Sequence, residues 1–507
     1  MVAAIMLCLS VSVPLPGASS GRVPFIINED NSHFYGFRSA DEMTMEGLHA
    51  FVDQYAGTAV THLFLNPNAM RASHESAVRD SIWEVGEQVV PADNEVCRKW
   101  VDNARLLFER GLDPYAVWIA RSREKGISPW LTMRMNDIHD VDNPKNFMHS
   151  TFWVNHPEYW RVPGSTSGWH DRALDFGIPE VREHAMAYVK ELFERYDADG
   201  IELDWMRFGY HFKPGKEAEG CEILTQFMRD VRVLSREWTV KRGHPVLVGA
   251  RVPATPDAAL GLGMDGVAWV KEDLVDMLVP TPFWASIDFD IPIEEWRVRL
   301  GDSAKNITLA AGGEILIAAY PGGKQIVNSL ESARGFASAV LQRGADAIYL
   351  FNYMDPAPMH GGVEAYRALL EEGVSLKTLT GKARRFASTY HDTVPSGVSN
   401  GAQLPVDLNA NPVVKIYAGP KPETGEAEVV IGFDTTEAVD EKALEVTLNG
   451  TKCDPAGAVE DLSVLPGVEK AFRFSAPLSA LTDGYNSVGM SGGAAERKIV
   501  WVEIRVD

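Results

Sequence analysis

The sequence predicts an α/β protein: a (β/α)8 TIM barrel followed by a small C-terminal β-sandwich. Three observations predict it. Eight apolar, strand-like segments alternate with helix-like ones over roughly 340 residues, the pattern of a parallel sheet, and eight units suggest closure into a barrel. Polar and charged residues gather after the C-terminal ends of those segments, where barrels build their active faces. Beyond residue 412 the pattern changes to short alternating strands with turn dipeptides such as Asn449-Gly450 and Asp483-Gly484. An open doubly wound sheet is the runner-up, but no Gly-rich phosphate turn follows the first strand. The expected organisation is a secretory leader over 1–20, a barrel over 21–375, a linker over 376–412 and a β-sandwich over 413–507.

The leader expectation rests on the apolar run Val2 to Val13 followed by Pro14, Pro16 and small residues, although a basic start is missing. It implies a secreted or periplasmic protein. Phe34–Arg38 reads as the first strand, and Leu48, Phe51, Val52 and Tyr55 give the next segment helical spacing. Val60–Asn66 is the second strand. A long helical region over 95–125 leads to the third, Gly126–Met135. An insertion over 143–175, rich in His, Trp, Pro and Gly, has the length of a functional loop. The helix 179–196 leads to the fourth strand, Asp199-Gly200-Ile201-Glu202-Leu203-Asp204-Trp205. Strands at 246–251, 274–280, 306–311 and 345–352 complete the eight, with helices over 221–241, 266–272, 292–301, 329–343 and 362–372. The stretch 395–412, rich in Pro, Gly, Ser and Asn, reads as linker.

Composition narrows the function. The chain has 48 Lys and Arg against 70 Asp and Glu, a net charge of −22. That argues against nucleic acid, whose phosphates need clustered cations, and against a strongly anionic polymer unless the cleft is locally basic. Cys8, Cys97, Cys221 and Cys453 show neither disulfide nor metal spacing. No cofactor is indicated, and no uninterrupted apolar window is long enough to span a membrane. The 13 Trp, 14 Tyr and 21 Phe supply flat faces on which sugars stack, although core packing uses them too.

The candidate site is the set of residues at strand ends. In a strand alternate side chains share a face, so Glu202 and Asp204 point together, away from Ile201, Leu203 and Trp205. They serve catalysis or form structural ion pairs with Arg207 or Arg134. Strand two offers Asn66, Asn68 and Arg71; strand three Arg134, Asn136, Asp137 and His139; strand five Arg251. Strand six offers Trp284 and, further out, Asp288 as an alternative acid. Strand seven offers Glu314, and strand eight Asn352 and Tyr353. Glycoside cleavage uses two carboxyls, about 5–5.5 Å apart for retention and about 6.5–9.5 Å for inversion. Asp204 and Glu314 are the favoured pair, with Glu202 in support, unless Glu314 neutralises Lys324. Asn66, Arg134, Asp137, His139, Arg207, Arg251, Trp284 and Asn352 are the expected substrate-binding residues. Arg207 and Arg251 would hold a substrate carboxylate or orient the acids. Asp137 with His139 lacks a third metal ligand.

The segments Leu174–Arg182 and Tyr196–Arg207, with Arg134–His139 and Phe64–Asn68, resemble glycoside-hydrolase-like barrel proteins active on polysaccharides, over about residues 33–372. The resemblance implies a barrel, a carbohydrate substrate and an accessory β-sandwich. A chitinase-type fourth strand would carry its catalytic Glu where Met206 stands. An α-amylase-type strand would match its nucleophile to Asp204, but its acid would stand where Arg251 ends strand five. The resemblance therefore implies Asp204 with a partner acid on another strand. A carbohydrate-binding protein without catalysis, and a metal-dependent deacetylase or lyase, are the alternatives.

Overall fold

The computed structural model describes residues 22–507 except 355–358, 438, 440 and 493–496. The leader and Cys8 lie outside the described residues. Eight parallel strands close into a barrel: β1 (Phe25–Glu29), β2 (His62–Leu65), β3 (Ser128–Arg134), β4 (Gly200–Asp204), β5 (Leu247–Pro253), β6 (Met277–Thr281), β7 (Thr308–Glu314) and β8 (Ala347–Phe351). β1 closes the ring by pairing with both β8 and β2. Helices such as Pro179–Arg195 and Glu217–Arg242 connect the strands.

Seven of the eight strands fall on the expected segments; the first does not. Phe34–Arg38 reads as a strand because it is short and aromatic, but His33–Phe37 is a helix. The Asp30 carboxylate accepts from the Ser32 amide and hydroxyl at 2.8 and 2.7 Å and turns the chain there. The strand is the earlier run Phe25-Ile26-Ile27-Asn28-Glu29, buried throughout. The helical region after residue 95 is two helices, Glu95–Glu109 and Pro114–Glu124. Asp113 starts the second by accepting from the Tyr115 and Ala116 amides, with Pro114 at its first position.

The barrel interior is packed. Phe64 stacks on Trp130 at 4.8 Å, and Ile26, Met277, Val279, Ala310 and Tyr349 fill the layers around them. Gly200 makes room for this, since a Cβ there would lie 2.6 Å from the Trp130 ring. Ile201, Leu203 and Trp205 face the helices in the outer core, so Glu202 and Asp204 face inward as the strand period requires.

The C-terminal part is two antiparallel sheets. One orders Arg384–Ala387, Lys498–Val506, Ala427–Phe433, Lys470–Ala476 and Asp454–Ala458; the other orders Val413–Ala418, Gly484–Ser491, Glu445–Leu448 and Thr451–Lys452. The strand Arg384–Ala387 lies inside the expected linker, yet pairs antiparallel with the last strand, Arg384 opposite Val506. Its two arginines hide a strand that Arg385 anchors on the buried Glu503, at 2.7 Å. Among the described residues no helix is long and apolar enough to cross a membrane.

Candidate active site

Among the described residues the acids Asp30, Asp137, Asp204 and Glu314 and the arginines Arg134, Arg207 and Arg251 stand at the C-terminal rim of the barrel, with Glu202 below them, and their settings differ sharply. Asp204 ends β4 and is 1% exposed. Its Oδ1 accepts from the Met206 and Arg207 amides at 3.0 and 2.9 Å, and its Oδ2 from Arg251 Nη1 at 2.8 Å. Arg251, two residues before the end of β5, stands directly opposite Asp204 in the strand register. Its guanidinium lies 4.4 Å over the Phe351 ring. The ion partner of Asp204 is thus Arg251, not Arg134 or Arg207 as the sequence suggests.

Glu202 lies one layer deeper. Thr132 and Tyr349 donate to its Oε1 at 2.6 and 2.8 Å. Among the described residues no cation pairs with it, and burial together with the charge of Asp204 raises its pKa against the lowering pull of Arg251. Glu314 ends β7, three strands round from β4 (β5, β6, β7). Asn352 Nδ2 donates to both its oxygens at 2.9 and 3.0 Å, and the Ile315 amide donates to Oε1 at 2.8 Å. Asn352 adopts the left-handed conformation, φ 64°, that Asn tolerates better than most residues. Burial pushes Glu314 up to about 8, against the lowering pull of Asn352, Arg207 and Arg251. No cation lies within ion-pair distance of Glu314 among the described residues, so the alternative of Lys324 as its partner does not hold.

A second group stands across the rim. Arg134 bonds Asp30 and Asp137, the latter at 3.2 Å, and Asn31 at 3.2 Å. Asp137 Oδ1 is 2.8 Å from His139 Nδ1, and His139 Nε2 is 2.8 Å from Arg207 Nη2. Arginine only donates, so Nε2 accepts and Nδ1–H faces Asp137. Although burial raises its pKa, Asp137 is held well below the usual carboxylate range by His139 and by the charges of Arg134 and Arg207. Asp137 and His139 therefore bind each other and the arginines. Among the described residues no group of three or more His, Cys, Asp or Glu side chains could hold a metal ion.

Other expected residues have different places. Asn66 and Asn68 are struts, donating to the Thr132 carbonyl at 2.6 Å and the Arg134 carbonyl at 3.0 Å. Asn136 ties Leu174 and Tyr210, and Arg71 clamps the His149 carbonyl at 2.9 Å. Tyr353 supports the Glu314 carbonyl at 3.3 Å. Asp288 is not a rim acid: it is fully buried against His391 at 2.6 Å. Trp284 is 42% exposed beside Phe283.

Sequence reasoning missed several residues here. Asp30 and Asn31 follow the misplaced first strand; the apolar run ending in acids at Phe25–Asp30 was the available signal. Thr132 and Tyr349 are revealed only by strand register. The aromatic wall comes from three separate loops: Trp169, 37% exposed, stacks on Phe283 at 6.0 Å and meets Phe208 and Tyr210 edge-on.

No protein-family model matches the chain, and no curated protein sequence matches it. Solved structures do. The alpha-L-fucosidase isoenzyme 1 from Paenibacillus thiaminolyticus is 12% identical with a TM-score of 0.34, covering 93% of this chain and 97% of that one. A GH36 alpha-galactosidase from Geobacillus stearothermophilus is 11% identical with a TM-score of 0.36, covering 96% of this chain and 55% of that one. A GH18 chitinase from Chromobacterium violaceum is 10% identical with a TM-score of 0.36, covering 95% and 90%. This chain thus spans just over half the length of the alpha-galactosidase. The barrel assignment itself rests on the strand pairing described above.

Proposed function

We propose that the chain is a glycoside hydrolase acting on a poly- or oligosaccharide, with Glu314 as general acid and Asp204 as the ionised carboxylate. The observation that carries this is the contrast between two carboxyls on one rim. Glu314 is buried without a cation and held protonated to about pH 8. Asp204 is bonded to Arg251 and two amides. A buried carboxyl that keeps its proton and a second one ion-paired to arginine supply a proton donor and a charged partner on one rim. Arg251 bonds Asp204 and overlies Phe351, and its charge also acts on Glu314. Glu202 supports the pair from below through Tyr349 and Thr132. The exposed faces of Trp169 and Trp284 suit a pyranose ring.

Screening the purified protein for reducing ends released from a polysaccharide panel tests this. Glu314→Gln and Asp204→Asn should each lower kcat by about 10²–10⁴-fold, the worth of general acid–base help. Wild-type kcat/KM should fall as pH rises through about 8, where Glu314 loses its proton. Near-wild-type activity in either variant removes that residue from the mechanism. A binding protein without hydrolysis is the second reading. It is favoured by the nearly complete burial of Asp204, whose partners already occupy both oxygens. It predicts glycan binding with no sugar release.

A further inference from the structure

We propose that Arg207 is the docking cation for a carboxylate on the sugar, so that the glycan taken at this rim contains uronic acid. This rests on the glycosidase reading only for the site's location, not for its chemistry. The three rim arginines are not equivalent. Arg134 bonds two carboxylates, and Arg251 bonds Asp204. Arg207 is 9% exposed and has no carboxylate within ion-pair distance among the described residues. Among the described residues its guanidinium has one hydrogen-bond partner, His139, at the accepting Nε2. Its Nε and Nη1 are buried with no partner among those residues.

A buried cation without a counter-ion is costly, because desolvation is not offset by a hydrogen-bonded charge. Burial, and next the neighbouring charge of Arg134, pull Arg207 down to about 10, against the raising pull of Asp30, Asp137 and Glu314, none of which bonds it directly. The guanidinium is also walled by aromatic faces: Phe351 at 5.3 Å, Phe208 at 5.5 Å and Phe283 at 5.6 Å. Those rings set apolar surfaces beside a guanidinium whose Nη2, with its second hydrogen, forms a planar fork with the unpartnered Nε or Nη1. A planar carboxylate fits such a fork with two parallel bonds, and the ring that bears it fits the aromatic faces. A net charge of −22 repels acidic polymers at long range, so the preference for a carboxylate arises at short range, from the guanidinium's unpartnered N–H groups.

Calorimetric binding to wild type decides the matter, using short galacturonate, glucuronate and mannuronate oligomers, their carboxyl-reduced counterparts and a sulfated dextran oligomer. We expect at least one uronate oligomer to bind roughly tenfold or more tighter than its reduced counterpart, the worth of a charge-assisted bond. Arg207→Met should erase that ratio, and Arg207→Lys, which keeps charge but loses the fork, should reduce it. The Lys variant carries the test if the Met variant does not fold. No preference in wild type, a preference only for sulfate, an unchanged ratio in the variants, or equal loss of acidic and neutral binding overturns the proposal. Binding is read without turnover. A protein that prefers uronate but releases no sugar keeps this inference and loses the hydrolase assignment; one that cleaves neutral glycans without preference does the reverse.

Discussion

Glu202 holds its proton more tightly than an ordinary carboxyl because it is fully buried and a second carboxylate stands above it, against the lowering pull of Arg251 and of the Thr132 and Tyr349 hydroxyls. A carboxyl whose folded pKa lies above its ordinary 4.5 binds its proton more tightly folded than unfolded. Its contribution to stability is therefore complete below 4.5 and declines as pH rises above it. Asp30 and Asp137 act in the opposite sense. Held below the ordinary 3.8, they stabilise above that value and lose the contribution as pH falls beneath it. Glu202→Gln should flatten the decline between 4.5 and about 8, removing a slope of up to about 1.4 kcal/mol per pH unit there. Thermal midpoints of both proteins from acid to alkaline pH check this; parallel curves would mean that Glu202 is ionised in the fold. At this scale the sequence shows which residues point inward, because strand period fixes that for Glu202 and Asp204. It does not show their partners. Tyr349 is far along the chain from Glu202, and only closure of the ring brings the two together.

The β4 strand shows what the elements demand of particular residues. Glycine at position 200 looks dispensable in a strand, where it costs conformational entropy and packs nothing. Its reason is the Trp130 ring on the neighbouring strand, 2.6 Å from where a Cβ would stand, with Trp130 itself stacked on Phe64. Trp130 is fully buried and cannot swing away. Gly200→Ala should destabilise the protein by about 1–3 kcal/mol, the usual cost of overpacking. Adding Trp130→Phe should recover part of that loss, whereas Trp130→Phe alone should destabilise. Denaturant titration of the three variants measures the coupling; additive losses would show that the ring does not constrain the glycine. Elements with strong period and clear caps were legible, as Gly362–Glu372 shows by matching its expected bounds. Short aromatic runs were not. Phe34–Arg38 and Phe25–Glu29 are both short runs that begin apolar and end in a charged residue, and the Asp30–Ser32 turn between them starts the helix.

The whole molecule depends on a joint that composition concealed. The segment after Arg384–Ala387 was read as linker, yet its Asp392 accepts from the Phe283, Trp284 and Ala285 amides at 2.8–2.9 Å, fixing the loop after β6 beside the aromatic wall. Next to it His391 meets the fully buried Asp288 at 2.6 Å. Arg343 and Tyr485 both bond Asp290, which ties the second C-terminal sheet to the barrel. The charge of Asp288 raises His391 to about 9 despite its burial. For a cation held above its ordinary 6.5, stability is fully present below 6.5 and is lost as pH rises through about 9. Asp288→Asn keeps the shape and removes the charge, so it should cost about 1.5–3 kcal/mol below pH 6.5, the range for a hydrogen bond to a charged group. The gap between wild type and variant should close above about 9. Comparing the two proteins at each pH cancels the decline from the buried glutamates, which both share. A gap that stays constant across the range would mean that His391 is not the titrating partner. A gap confined to the neutral and acid side would make the loop carrying Trp284 depend on the sheets behind it.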